Sequence, residues 1–261
     1  MSADALQVYS GLPILTNQPE GDALLVGIRD LGQEMSVGEY AGLAHAAIDE
    51  LVEAHGVAVV AGGTGLYLRA ALADLRVPPA PAPGTRERLE TEYEADRDAL
   101  FARLEALDPG AASVVHRNDS RRVVRALELA EAGASLTAGQ DRLWGDDLRR
   151  STLVAGLDVP AEVLAGRIVE RTQEMFERGV EAEVRSALAG PISRTAEKAL
   201  GLRELADEPP EQAFERIVSR TRQYAAYQRK WMRRIPGIVM IDADRPAEEV
   251  VDAIVDLARA R

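Results

Sequence analysis

The sequence predicts an α/β fold, a parallel sheet core interrupted by a helical insertion, and three observations carry that prediction. Short β-branched apolar runs alternate with stretches of helical period in residues 1–80 and again from residue 149 onward, the pattern of strands joined by crossover helices. Residues 84–148 have helical period with no strand-like run between them. At 46% hydrophobic and 28% charged, a chain of 261 residues is globular and long enough to bury a full core. The expected organisation is a core of residues 1–80 and 149–261 and an insertion of residues 81–148.

In chain order, the polar opening SADALQVY has the composition of a turn that follows a strand, and Leu24 to Ile28 is a short strand candidate. Ser36 and Glu39 have capping-box spacing, so a helix is expected to about Ala54, with an apolar stripe of Tyr40, Leu43, Ala44, Ala47 and Leu51. Residues 57–68, VAVVAGGTGLYL, read as a buried parallel strand, a glycine turn and a helix start. Gly62 and Gly63 permit a close backbone approach, and the Thr64 hydroxyl with the first free helix amides suits an anion. By spacing alone the turn reads first as an ordinary strand-to-helix connection. A proline-rich segment, residues 77–83, leads into the insertion, where Asp108-Pro109 marks a break.

Arg121, Arg122 and Arg125 lie about a turn apart beside His116, Arg117 and Asn118, forming either a basic face or a solvated surface paired with Glu128. Residues 152–157 resume as a strand, and a long helical region over residues 161–189 turns Met175 and Phe176 inward and breaks at Arg178-Gly179. Lys198 and Arg203 flank a short apolar piece ending at Gly201. Arg216, Arg220, Arg222, Arg229, Lys230, Arg233 and Arg234 then occur with no acid among them, interleaved with Tyr224, Tyr227 and Trp231, a pattern suited to nucleic-acid phosphate and stacked bases. Residues 238–241 are the last strand. Residues 246–259 form a closing amphipathic helix with Val250, Val251, Ile254 and Leu257 on its apolar side.

Composition excludes several chemistries. With no cysteine there are no disulfides, thiolate metal sites or cysteine nucleophile, and His45, His55 and His116 are too scattered for a histidine metal cluster. Any metal is expected to be Mg²⁺-like, held by oxygen. No apolar run approaches the roughly 20 residues of a membrane span, and a cytoplasmic monomer without membrane partners is expected. A net charge of -12 repels phosphate overall, so RNA binding requires local basic patches.

Four stretches, SADALQVY, VVAGGTGLYLRA, LDPGAASVVHRNDSRRVVRALEL and RTRQYAAYQRKWMRR, resemble in order and spacing the tRNA dimethylallyltransferase (isopentenyltransferase) family. The resemblance implies a P-loop NTPase-like core with a helical insertion. It also implies transfer of a dimethylallyl group from dimethylallyl pyrophosphate, with Mg²⁺, to the exocyclic amino group of the adenosine 3′ of the anticodon in tRNA. On it, Asp4 matches the general base, and Asp4, Ala5, Leu6 and Gln7 match the segment gripping the flipped base. Thr64 and Arg86 match substrate-contacting positions, and Arg121, Arg122, Val123, Val124 and Arg125 match a tRNA-contacting stretch. Thr64 and Lys198 stand at the pyrophosphate, and no direct metal ligand is assigned.

The residue types fit that chemistry, because a delocalised amino group attacking an allylic carbon needs a carboxylate to take its proton, a contribution of about 10² to 10⁴ in rate. The chain departs from the family where Ala226 and Tyr227 replace basic residues and Leu202 a tyrosine. It also has no G-x-x-x-x-G-K-[ST] loop, which the family places ahead of the segment matching residues 2–9. The expectation is therefore a chain without its first strand and P-loop, recoverable by translating the in-frame DNA upstream of Met1. The alternatives are a non-catalytic tRNA-binding remnant and an adenylate (cytokinin-type) prenyltransferase, the latter needing neither the insertion nor the basic segment.

Overall fold

The computed structural model describes residues 1–74, 81–82, 84–137 and 148–260. The chain divides into two compact units, Met1–Leu75 with Trp144–Arg261, and Arg76–Leu143. Of the proline-rich segment 77–83, all but residues 81 and 82 lies outside the described residues.

In the first unit, α1 (Val37–His55) begins where the Ser36 hydroxyl accepts the Glu39 amide at 3.1 Å and ends at Gly56, whose φ of 76° lets its amide close on the Val52 carbonyl. Only half of the expected capping box forms, because the Glu39 carboxylate pairs instead with Arg29. The buried stripe is Tyr40, Ala41, Ala44, Ala47 and Ile48. Leu43 is exposed and Leu51 only half-buried, so the inward face is turned from the one expected. This face packs on α2 (Gly65–Leu72), where Tyr40 and Tyr67 stack with ring centroids 4.0 Å apart.

Among the described residues the second unit has four short helices, α3 (Thr85–Ala95), α4 (Arg97–Leu107), α5 (Pro109–Val114) and α6 (Ser120–Glu131). Asp96, Asp108 and Asp119 cap the last three through their carboxylates, and Pro109 occupies the first position of α5, where the break is expected. Leu89, Leu100, Leu104, Val123 and Leu127 fill its core.

Returning to the first unit, Arg149 and Arg150 both grip Asp49 of α1, at 3.1 and 2.8 Å. Then follow β1 (Ala155–Asp158), α7 (Ala161–Glu177), α8 (Val180–Ala187), a 3₁₀ turn (Ala196–Lys198), α9 (Leu202–Asp207), α10 (Pro210–Met232), β2 (Val239–Asp242) and α11 (Ala247–Arg259). Gly179, at φ 88°, separates α7 from α8, and Met175 is buried beside Leu12, Val180 and Leu202 with Phe176 partly buried against them. Only Val250 of α11's expected apolar side is fully buried, and Val251 is exposed.

The mixed α/β class holds, with a parallel ladder pairing β1 to β2 from Ala155↔Val239 to Asp158↔Asp242. Two expected strands do not form among the described residues. Residues 24–28 are broken by left-handed Leu25 and Gly27, both at φ 62°, which takes them out of extended geometry. Residues 57–61 are expected to be buried, yet Val57 and Val59 are 63% and 72% exposed and the segment makes only a parallel bridge, Ser2↔Ala61. A strand becomes a buried ladder only with partners on its edges. No helix of the described residues is long and apolar enough to cross a membrane.

Candidate active site

The site is built where residues 1–3 and 59–61 run side by side. Ala3 donates to the Ala61 carbonyl at 2.7 Å and Ala61 to that of Met1 at 3.1 Å, so Asp4 and Gly62 leave the pair together. A Cβ at Gly62 would overlap the Ala3 carbonyl, so glycine is required there by close approach. The Tyr40 hydroxyl donates to the Ser2 carbonyl at 2.9 Å and fixes the backbone ahead of Asp4. Burial, foremost, and the Asp4 charge push the Tyr40 phenol above its ordinary pKa, so it stays a neutral donor.

Asp4 is held by its own loop. Its Oδ1 accepts the Leu6 amide at 2.9 Å and the Gln7 amide at 3.4 Å, an Asx-type turn. Among the described residues Oδ2 accepts no hydrogen bond, and it lies 3.9 Å from where a Cβ on Gly63 would stand. One oxygen thus orients the carboxylate while the other is open at the glycine turn. Thr64 joins the loop by accepting the Ala5 amide on Oγ1 at 3.2 Å, and its hydroxyl also hydrogen-bonds Tyr224.

Two further elements reach this point. From α10, Gln228 donates to the Gly63 carbonyl at 2.9 Å and the Tyr224 hydroxyl approaches the same oxygen at 3.4 Å. The Tyr224 phenol is pushed up by burial and then by the Asp4 charge, with hydrogen bonding to Thr64 and Gln228 acting the other way. From α7, Arg171 is exposed to solvent, and its guanidinium lies within electrostatic range of the Asp4 carboxylate, which favours its charge. It remains a cation.

The side chains of the other expected site residues have surroundings of their own. Leu6 packs beside Leu12 and Leu15. The Gln7 side chain serves its own loop, donating to Thr16 O at 3.2 Å and Asn17 O at 2.8 Å and accepting from the Ser2 hydroxyl at 2.8 Å, which leaves one lone pair of Oε1 unused by these bonds. Lys198 is exposed in the turn ahead of α9. In the second unit, Val123 and Val124 are buried in the core, leaving Arg121 and Arg122 as the exposed members of their stretch. Arg86 grips Glu128 through two bonds of 2.6 and 2.9 Å, and Arg125 adds a third at 3.0 Å, so both are engaged with a buried carboxylate rather than free for a ligand.

The basic helix also sorts into two groups. Arg216, Arg220 and Arg229 pair with Glu208, Glu204 and Asp158, whereas Arg222, Lys230, Arg233 and Arg234 have no ion pair among the described residues. Tyr227 is 62% exposed among them. Arg171 escapes a reading of the sequence because it stands in α7 amid Glu170, Glu174 and Glu177 with no motif or period to single it out. Gln228 carries no signal either, being a neutral residue within a basic run.

A free carboxylate oxygen, a hydroxyl donor and an arginine around a glycine turn can take a proton and hold an anion. Among the described residues no three or more acidic or histidine side chains group as a metal site. Mg²⁺ needs only one or two protein oxygens when phosphates supply the rest.

The family model described as IPP transferase matches residues 7–235. The chain is 35% identical to a tRNA dimethylallyltransferase of Rhodopirellula baltica over 99% of this chain and 84% of that one. It is 37% identical to one of Anaeromyxobacter dehalogenans over 92% and 85%. Among solved structures, it superimposes on a eukaryotic dimethylallyltransferase acting on tRNA with a TM-score of 0.80 and 27% identity, covering 100% of this chain and 73% of that one. A tRNA isopentenylpyrophosphate transferase of Bacillus halodurans gives a TM-score of 0.69 at 26% identity, over 99% and 86%. With a model match across most of its length and relatives of this identity over most of theirs, the chain belongs to the IPP transferase family.

Proposed function

We propose that the protein is a tRNA dimethylallyltransferase that moves the dimethylallyl group of dimethylallyl pyrophosphate to the exocyclic amino group of the adenosine 3′ of the anticodon. The observation that carries the mechanism is the division of labour in Asp4, one oxygen fixed by backbone amides and the other open at the glycine turn. The amino nitrogen bonds to the allylic carbon as the carbon–oxygen bond to pyrophosphate breaks, and Asp4 Oδ2 takes the amino proton. Arg171 and the Thr64 hydroxyl face the charge that develops on the leaving group. Thr64 Oγ1 is the protein oxygen that would face a Mg²⁺ carried by the pyrophosphate, and such an ion would supply further neutralisation of that charge.

Arg222, Lys230, Arg233 and Arg234 with Tyr227 supply phosphate contacts and a stacking surface for an anticodon stem-loop, and Arg121 and Arg122 do so on the helical unit, read as the tRNA-contacting insertion. These cations favour tRNA over a free adenine nucleotide as acceptor. In the same reading the core is of the P-loop type, the protein acts in the cytoplasm and it is a monomer.

The test is transfer of labelled dimethylallyl to tRNA by the 261-residue chain, beside Asp4→Asn. Transfer is expected, with kcat lower by at least ~10²-fold in the variant and tRNA affinity nearly kept. Near-normal turnover in Asp4→Asn removes Asp4 from the mechanism. Tight tRNA binding with no transfer by the parent chain favours the non-catalytic reading.

A further inference from the structure

We infer that Gln228 is a positioning residue, holding the Asp4 loop in its working shape from the RNA-binding helix and so tying catalytic geometry to the seat of α10. The inference rests on the reading of Asp4 as the base and deepens it. Gly62, Gly63 and Thr64 are sandwiched. On one side the Ala3 carbonyl fills the space of a Cβ at Gly62, and the Ala5 amide donates to Thr64 Oγ1 at 3.2 Å. On the other, the Gln228 amide lies against Gly63, filling the space of a Cβ there and donating to the Gly63 carbonyl at 2.9 Å.

The turn thus has a fixed wall on the Asp4 side and a single side-chain amide as its opposite wall. Tyr224, one helical turn before Gln228, approaches the same carbonyl at 3.4 Å, beyond the usual range for a hydroxyl donor, so Gln228 makes the principal bond. Tyr227 and Lys230, three residues apart, form another stripe of α10 and are exposed, as is Arg234 just beyond its end. One helix therefore presents an RNA-facing stripe and, through Gln228, a grip on the turn beside Asp4. A helix displaced at its RNA face moves the amide that holds that turn.

Gly63 has no positive φ, and the obstruction to its Cβ is the far end of a flexible side chain, so Gly63→Ala can be accommodated by ejecting the Gln228 amide. That gives a test by double substitution. Gln228→Ala, Gly63→Ala and the two together are compared with the parent chain for transferase kinetics and for affinity toward an anticodon stem-loop. Hydrogen exchange is followed at the Ala5–Gln7 amides and through residues 62–66. All three variants are expected to lose a similar ~5- to 10-fold in kcat, with stem-loop Kd within about 2-fold of the parent, because each loses the same bond. Exchange at the Ala5 amide is expected to quicken in all three.

Additive losses in the double variant, or unchanged exchange around Asp4 in Gln228→Ala, overturn the positioning role. The exchange readout needs no turnover, so it decides the role of Gln228 even if the parent proves inactive or Asp4→Asn proves as active as the parent, the results that would sink the functional reading instead.

Discussion

Glu128 presents none of its side-chain surface to solvent, in a unit of four short helices where an unpaired carboxylate is costly. Burial alone raises its pKa, but hydrogen bonds and charge from Arg86 and Arg125 outweigh that and leave it below the ordinary carboxylate range. A depressed folded-state pKa means the group contributes its stability above the unfolded value, near 4.3 for glutamate, and loses it as pH falls through the lower folded value. Glu128→Gln is therefore expected to destabilise the helical unit by about 1–3 kcal/mol near neutral pH and to flatten its acid unfolding below about pH 4.3. Thermal melts by circular dichroism between pH 2 and 7 check this, and a parent-like acid limb in the variant refutes it. The pair also shows what Arg86 does within the helical unit. A sequence displays a charge but not the partner 42 residues away that engages it.

Among elements, α10 carries the most separable prediction. Arg222 and Lys230, with Arg233 and Arg234 just after the helix, have no ion pair among the described residues and are available to phosphate, and each contact removed by alanine should lower the salt slope of tRNA binding by roughly 0.7 to 0.9. Arg220→Ala should behave differently, because its partner Glu204 is buried and would be left without that charge, so the measured effect is lost stability rather than a changed slope. Titrations at several salt concentrations distinguish the two groups. Equal slope changes from Arg220 and Lys230 variants would mean that the ion pairs do not sort the helix. The run of bases without acids was legible in the sequence, but its division was not, since Glu204, Glu208 and Asp158 come from other parts of the chain.

For the molecule as a whole, separate cores imply separate melting. Tyr40, Tyr67 and Ile48 belong to one core and Leu89, Leu104 and Leu127 to another. Calorimetry is expected to resolve two transitions. Ser36→Ala, which removes the cap of α1 and costs about 1 kcal/mol, should lower one, and Glu128→Gln the other. Both substitutions shifting one common transition would show that the cores unfold together. A net charge of -12 also makes any RNA affinity a property of local patches, so binding should weaken steeply with salt.

The sequence by itself determined what acts over a few residues. The Ser36 cap, the Asp108-Pro109 break, the Gly179 interruption and strands at or near β1 and β2 all follow from turn chemistry and periodicity. The linked motifs were likewise enough to find the family. Only the tertiary structure decided which face of α1 is buried, that Val57 and Val59 stay exposed, that Gln7 serves its own loop, and that Arg171 and Gln228 converge on the Asp4 turn. Local signals are set by sterics and hydrogen bonds within about a helical turn, whereas the bond from Gln228 to Gly63 joins residues 165 positions apart, a closure that no local preference encodes and that only the packing of the folded core holds in place.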